Sequence, residues 1–228
     1  MRSIVSIILI GIIVLGIALA LIVIPFGEPK TEVGKYYIDK GIEDTGAVNI
    51  VTSVVVNYRG FDTLGEVTIL FIAAIGLGAV LATKKKRKVE KKVTSASLIL
   101  YTGCRFLFPL ILLFGVYIFV HGHLSPGGGF QGGAIIASAF VLIYMGCRGR
   151  RLPEAPTKVI ESLGGLVFII VGLVGLSLGG YFLLNFLPKG IPNNLFSAGI
   201  IPIIYIAIGF KVGSELAGII DNLIEESE

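Results

Sequence analysis

Four ionisable residues occur where the sequence predicts the interior of a membrane. Lys211 and Glu215 are one helical turn apart in the apolar run 199–220, and Arg105 and Glu66 lie in two other apolar runs. Moving a charged side chain to the middle of a bilayer costs at least about 2.5–3.5 kcal/mol, so such residues usually form pairs or line a hydrated path. Lys211 and Glu215 therefore predict either a buried ion pair or an ionisable site in an ion path.

Acidic residues at the start of two apolar runs extend this pattern. Asp62 and Glu66 are four residues apart and share a helix face. Two close carboxylates raise the pKa of one of them, which suits cation or proton exchange. An ordinary helix N-terminus also favours acidic residues and would explain them equally. Glu161 lies near the membrane boundary of a later run, and Arg105 needs a partner, for which the candidates are Glu66, Glu161 or a group from a neighbouring protein.

Two histidines flank one glycine at the end of an apolar run. His121 and His123 are either interfacial caps or proton-relay groups, because histidine titrates near neutral pH. Neither has further ligands at metal-binding spacing, so we predict no metal site. Cys104 and Cys147 lie in apolar stretches without a CxxC pattern, and we interpret both as small packing residues.

The glycine-rich segment 127–132 matches the G-x-G-x-x-G pattern of dinucleotide sites. That pattern requires a preceding strand in a βαβ unit, whereas a membrane-length apolar run precedes it here. We interpret the segment as a tight turn whose glycines allow positive φ and close helix approach. Its N–H groups could also solvate an ion or a carboxylate.

The composition fixes the class of protein. Of 228 residues, 54% are hydrophobic and 15% are charged. A soluble chain of this size could not bury so much apolar surface, which excludes a water-soluble enzyme, and the hydrophobicity excludes a disordered chain. We predict an all-α integral membrane protein with about six spans, at residues 3–24, 62–82, 95–120, 134–147, 159–187 and 199–220. The fourth span is short, so we expect the glycine-rich turn before it to be recessed into the membrane.

Basic residues predict the orientation in the membrane. The stretch 84–92 holds seven basic residues, and binding of nucleic acid or anionic lipid is the alternative interpretation of it. Twelve basic residues fall on the side of the N-terminus and five on the other, which predicts that both termini are cytoplasmic. The first span imitates a signal peptide, but its apolar run continues past the candidate cleavage site, so we expect a retained helix.

Smaller features predict packing. Gly172, Gly175 and Gly179 form a small-residue face, which indicates a close neighbour inside or outside the chain. The apolar stretch 47–56 is too short to span, and we expect an interfacial or re-entrant segment packed on protein. The sequence has no convincing internal repeat, which argues against a stand-alone transporter.

Two segments resemble subunits of multisubunit Mrp-type Na+/H+ antiporters. Residues 121–133, HGHLSPGGGFQGG, resemble the signature turn of the MnhB/MrpB family, here with Gly122, Pro126, Gly127, Gly128, Gly129, Gly132 and Gly133. Residues 49–66, which include NYRGFDTLGE, are similar to the C-terminal part of MrpA, a separate small subunit in archaeal membrane-bound hydrogenases. The resemblance implies a fusion of a two-helix MrpA-like segment (1–83), a basic cytoplasmic linker (84–94) and a four-helix MnhB/MrpB-like domain (95–228).

The resemblance also implies a function. Glu66 matches the family's acidic residue in the MrpA tail, often discussed for ion passage. The chain would be a non-redox plasma-membrane subunit in the ion-translocating module of an archaeal respiratory complex, of the sulfane sulfur reductase or hydrogenase type. Its implied partners are other Mrp-like subunits, a redox arm and membrane lipid, but no nucleic acid. Na+ or H+ would be the transported ions, with no cofactor and no catalytic centre in this chain. The alternatives are a purely structural assembly subunit and a subunit of a free-standing Mrp antiporter.

Overall fold

The computed structural model describes residues 2–23, 31–82, 96–147 and 153–227, and within these ranges the chain is helical without any β-strand. The predicted linker at 84–94 lies outside them, as do three of the basic residues counted for the orientation, Arg148, Arg150 and Arg151. The helices are α1 (Arg2–Val23), α2 (Glu32–Thr45), α3 (Ile50–Thr52), α4 (Gly60–Ala82), α5 (Leu98–Val120), α6 (Gly129–Gly146), α7 (Glu154–Gly179) and α8 (Ile201–Ser227), with a π-helical turn at Ser53–Tyr58.

The lengths and composition of these helices confirm the predicted all-α membrane protein. Helices α4 to α8 are each long and apolar enough to cross a membrane, and α1 contains a shorter apolar stretch, Val5–Leu19. The chain divides into two units, Met1–Lys35 and Tyr36–Glu228. In the first unit, the described apolar side chains of α1 are exposed all around the helix. A helix that is apolar on every side is suited to contact with lipid or other protein.

Helix α8 is central to the second unit, where it packs against α4, α5, α6 and α7. Its Ile204, Ile208 and Val212 are almost completely buried. Glycines bring α6 close to two neighbours, because a Cβ on Gly132 would lie 2.7 Å from the Gly115 oxygen of α5 and one on Gly133 would lie 2.9 Å from the Gly209 oxygen of α8. Such close contacts are typical of helix pairs in membranes, which gain stability from packing rather than from expulsion of water.

The fourth span is longer than the sequence prediction. Helix α6 begins at Gly129 and contains 18 residues, whereas the prediction placed its start at residue 134. Gly129, Gly132 and Gly133 belong to the first turns of the helix and contact α5 and α8, whereas Gly127 and Gly128 remain in the turn. A helix of this length rises about 27 Å, close to the hydrocarbon thickness of about 30 Å. The turn therefore does not have to be recessed for α6 to span.

The fifth span is shorter at its end than the prediction. Helix α7 stops at Gly179, and Gly180 adopts the left-handed conformation (φ 82°) that terminates many helices. The chain then folds back, and the Leu183 N–H donates to the Gly172 oxygen at 3.3 Å. A Cβ on Gly175 would lie 2.7 Å from the Leu184 nitrogen. The close neighbour predicted for this glycine face is therefore the chain's own returning segment, not another helix.

The segment predicted as interfacial or re-entrant directly precedes α4 in the chain. It consists of α3 and the π-helical turn, and its residues Ala47, Thr52, Ser53 and Val56 are buried, as expected for a segment packed on protein.

Candidate functional site

A buried ion pair lies in the middle of α8. The Lys211 Nζ donates to Glu215 Oε2 at 2.8 Å, and the two residues are only 7% and 2% exposed. Lys211 is ten residues into the span Ile201–Ile224, about 15 Å along the helix. The other carboxylate oxygen of Glu215, Oε1, is buried and has no hydrogen-bond partner among the described residues. Burying an unsatisfied charged oxygen is costly, so this atom marks the pair as a candidate site.

The side chain of Lys211 is held by groups from two other helices. Its Nζ lies 5.1 Å from the centre of the Phe71 ring of α4, within cation–π distance. On the α7 side, a Cβ on Gly164 would lie 3.0 Å from Lys211 Cβ, and one on Gly165 would lie 3.5 Å from Lys211 Cε. Gly164 therefore leaves room for the lysine stem between α7 and α8, whereas a Cβ at Gly165 would be in ordinary van der Waals contact with it.

A cavity of about 370 Å³ adjoins the pair between α4, α7 and α8. Glu215 lines it, together with Phe71 of α4, Glu161 and Lys158 of α7, and Asp221 near the end of α8. Glu161 is close enough to repel Glu215 electrostatically. The cavity is thus lined by three carboxylates, Glu215 among them, and by one ammonium group. A group of this kind can exchange a proton or bind a small cation.

The structure brings Lys211, Glu215 and Glu161 together, whereas Asp62, Glu66 and Arg105 lie elsewhere. The Asp62 carboxylate accepts from Arg59 Nε at 2.6 Å in an exposed pair, and Glu66 is exposed on α4. Arg105 finds its partner on its own helix, because its guanidinium donates to the Tyr101 hydroxyl at 2.9 Å and lies 5.4 Å from the centre of that ring. The predicted partner from another segment is therefore not the one that the structure shows.

The two histidines have different environments. His121 stacks on Tyr117 with 4.3 Å between ring centres, and its Nδ1 lies 3.2 Å from the Tyr117 oxygen. His123 is fully buried, and neither ring nitrogen has a hydrogen-bond partner among the described residues. Burial lowers the pKa of the His123 imidazole, an effect that the nearby backbone of Asn194 and Leu195 partly opposes. Burial therefore favours the neutral form of the His123 side chain.

A polar network beside the glycine-rich turn contains residues that the sequence analysis missed. The Tyr205 hydroxyl of α8 donates to Thr52 Oγ1 at 2.9 Å, and Thr52 donates to the Gly122 oxygen at 2.6 Å. The Asn49 side chain donates to the Gly122 and Ser125 oxygens at 2.9 Å each. One signal was available: a tyrosine inside an apolar span usually has a polar partner for its hydroxyl.

The described residues contain no group of three or more His, Cys, Asp and Glu side chains that could hold a metal ion. The side chains beside the Lys211–Glu215 pair offer the chemistry of carboxylates and ammonium groups.

Comparison with known proteins places these features in context. Residues 99–218 match the family described as a domain related to the MnhB subunit of Na+/H+ antiporters, and residues 1–95 match the MbhE family of MBH subunits. The chain is 39% identical over 100 residues to the B-type subunit of the Na+/H+ antiporter of Alkalihalophilus pseudofirmus, covering 42% of this chain and 69% of that protein.

Two solved structures are similar over nearly the whole chain. One is a chain of an archaeal respiratory membrane complex, the membrane-bound sulfane sulfur reductase, with 50% identity, a TM-score of 0.79 and 97% of each chain covered. The other is a chain of the Mrp complex from Dietzia sp., with 28% identity and a TM-score of 0.72. The second match covers 97% of this chain but 26% of that one, so the Dietzia chain is much longer.

Proposed function

The chain belongs to the family of domains related to the MnhB subunit of Na+/H+ antiporters, and from that premise we propose that it is a subunit of a Mrp-like ion-translocating module in an archaeal respiratory membrane complex. The 50% identity to a chain of the sulfane sulfur reductase favours that type of complex over a hydrogenase. The separate matches of residues 1–95 and 99–218 support a fusion of two antiporter-type segments. In this proposal the metals and clusters of the redox arm and its catalytic groups belong to other subunits.

The buried pair Lys211–Glu215 is the observation that carries an ionic role. Its ammonium satisfies one carboxylate oxygen, while the second oxygen has no described partner and the residue lines a cavity. A carboxylate in this state can exchange its lysine contact for a proton or a monovalent cation. We assign Glu215 as the exchanging group, Lys211 as its mobile counter-charge and Glu161 as a second carboxylate of the same path, with Na+ or H+ as the transported ion.

The other predicted ion-path residues have a different place in this proposal. Glu66, Asp62 and Arg105 are exposed on the isolated chain, where they can face neighbouring subunits. His121, at the opposite end of the spans from the cavity, serves as the proton relay at the outer surface. With both termini cytoplasmic, as the basic residues predict, the cavity beside Asp221 lies on the cytoplasmic side.

Transport by the assembled complex tests the ionic role. We expect Glu215→Gln to lower Na+-dependent proton transport in membrane vesicles by at least about tenfold, equivalent to about 1.4 kcal/mol. Glu43→Gln is the matched control, because Glu43 is an exposed carboxylate paired with Lys40 at 2.8 Å outside the spans. Unchanged transport in the Glu215→Gln complex would contradict the assignment, and Glu66→Gln tests the second acidic residue separately.

The apolar surface of α4 favours a second candidate, a role in assembly alone. Its Ile69 and Ile72 are largely exposed although the helix belongs to the bundle of spans, which leaves this face for lipid or a neighbouring protein. If the chain only assembles the complex, the neutralised variants transport normally whenever the complex is intact. Mass spectrometry of the gently solubilised complex would also separate a respiratory complex from a free-standing antiporter, because redox subunits copurify only with the former.

A further inference from the structure

The only two cysteines of the chain meet across two helices. Cys104 belongs to α5 and Cys147 directly follows α6, yet their sulfur atoms are 3.6 Å apart. Both thiols are free, and the residues are 1% and 6% exposed. The packing of α5 against α6 thus makes neighbours of two thiols that are 43 positions apart in the sequence.

The residue before Cys147 makes this approach possible. A Cβ on Gly146 would collide with the Cys104 sulfur and would lie 3.0 Å from the Leu100 oxygen. Any larger residue at position 146 would therefore push the Cys104 thiol away from its present position. The Cys104 thiol also donates to the Tyr101 oxygen of its own helix at 3.2 Å.

We propose that Cys104 and Cys147 form a redox-active dithiol, which is oxidised to a disulfide that links α5 to α6. The two sulfurs need to approach by about 1.5 Å to reach bonding distance. A small organic disulfide, RSSR, is a suitable oxidant. The Cys147 thiolate attacks it, forms a mixed disulfide and releases one RSH. The Cys104 thiolate then displaces the second RSH, so that two protein thiols are oxidised as RSSR is reduced to two RSH.

The link would act on α6, which packs against both α5 and the central helix α8. Helix α6 contacts α5 through Gly132 and α8 through Gly133, where a Cβ would lie 2.8 Å from Val212 Cβ. A covalent bond at its C-terminal end would hold α6 against α5. The proposal does not depend on ion transport by this chain, since it rests on the two sulfurs and Gly146 alone.

The formation of the disulfide can be tested on the folded protein in detergent with 2,2′-dithiodipyridine. This reagent releases one thiopyridone in each thiol–disulfide exchange step. We expect two thiopyridones per chain and an intact mass lower by two hydrogens, with no site left for iodoacetamide after unfolding. Cys104→Ala should release one thiopyridone and keep the other as a mixed disulfide on Cys147. Two retained mixed disulfides in the natural chain, or no release from the folded protein, would overturn the proposal.

Two glycine-to-alanine variants test whether the reaction depends on the short distance between the sulfurs. Gly146→Ala should slow the release of the second thiopyridone by at least about tenfold, because the new methyl group separates the sulfurs. Gly76→Ala in α4 should leave the rate unchanged, since a Cβ there meets no atom within 4 Å. Equal rates in the two variants would show that the thiols do not react as the structure places them.

Discussion

Lys211 and Glu215 share one turn of α8, and the lysine satisfies only one of the two carboxylate oxygens, at 2.8 Å. Two buried charges repay their desolvation only when geometry and additional hydrogen bonds are favourable. This pair lacks the additional bonds within the described residues. The pair therefore adds little net stability to α8, and its free carboxylate oxygen has the chemistry to accept a proton or a cation.

Removing only one of these charges should destabilise the protein strongly. We expect Lys211→Met to lower the free energy of unfolding by about 3–5 kcal/mol, because Glu215 would remain buried without its counter-charge. The double variant, Lys211→Met with Glu215→Leu, should recover most of that loss. Denaturant titration in detergent measures both, with Lys40→Met as the exposed control, for which we expect at most about 1 kcal/mol. A double variant less stable than the single one would show that the unpaired charge of Glu215 is not the cause of the loss.

The contact between α7 and α8 should depend on one glycine and not on its neighbour. A Cβ on Gly164 would lie 2.6 Å from the Ala207 oxygen, so Gly164→Ala should separate the helices and cost about 1–3 kcal/mol. Gly165→Ala is the control, since its Cβ meets only Lys211 atoms at 3.5 Å or more. Thermal unfolding of the two variants compares them directly, and equal losses would mean that the helices approach differently.

The hydroxyl of Tyr205 should contribute to the stability of the protein through its hydrogen bond to Thr52. Tyr205→Phe removes the donor to Thr52, and we expect a loss of about 0.5–1.5 kcal/mol in stability. Tyr181→Phe should have little effect, because Tyr181 is 54% exposed. A double-mutant cycle with Thr52→Val isolates the hydrogen bond, and additive losses would show that the two hydroxyls do not interact.

The stability of the protein should fall in mild acid because of His123. Its pKa is lowered in the folded state, so the unfolded chain binds a proton more readily below its own pKa of about 6.5. Stability is therefore constant well above that pH, falls as the pH drops below it and levels off below the folded pKa. The pH dependence of the melting temperature measures this. His123→Leu should remove the His123 contribution and His121→Gln should leave it, whereas an unchanged slope in His123→Leu would contradict the assignment.

Hydrophobic runs predicted the spans well because a membrane helix needs a fixed length of apolar sequence. The ends were less predictable. The run continued through residues 181–187, and only Gly179 and Gly180 signalled that α7 ends before them. Helix α2 was missed, since a polar segment outside the membrane carries no such signal.

Contacts within one helix were predictable, whereas contacts between helices were not. The spacing of Lys211 and Glu215 predicted their pairing, because residues four apart share a helix face. The same rule could have paired Arg105 with Tyr101, which lies four residues before it. The approach of Glu161 to Glu215 and of Cys104 to Cys147 depends on which helices pack together, and a single sequence does not contain that information.

The residues around α3 are attached to the turn at 121–128 through the main-chain atoms of that turn. Asn49 and Thr52 donate only to backbone oxygens there, those of Gly122, His123 and Ser125. These hydrogen bonds therefore depend on the backbone conformation of the turn and not on its side chains. A turn from another protein should accept the same hydrogen bonds if its backbone conformation is the same, even with unrelated residues at its exposed positions.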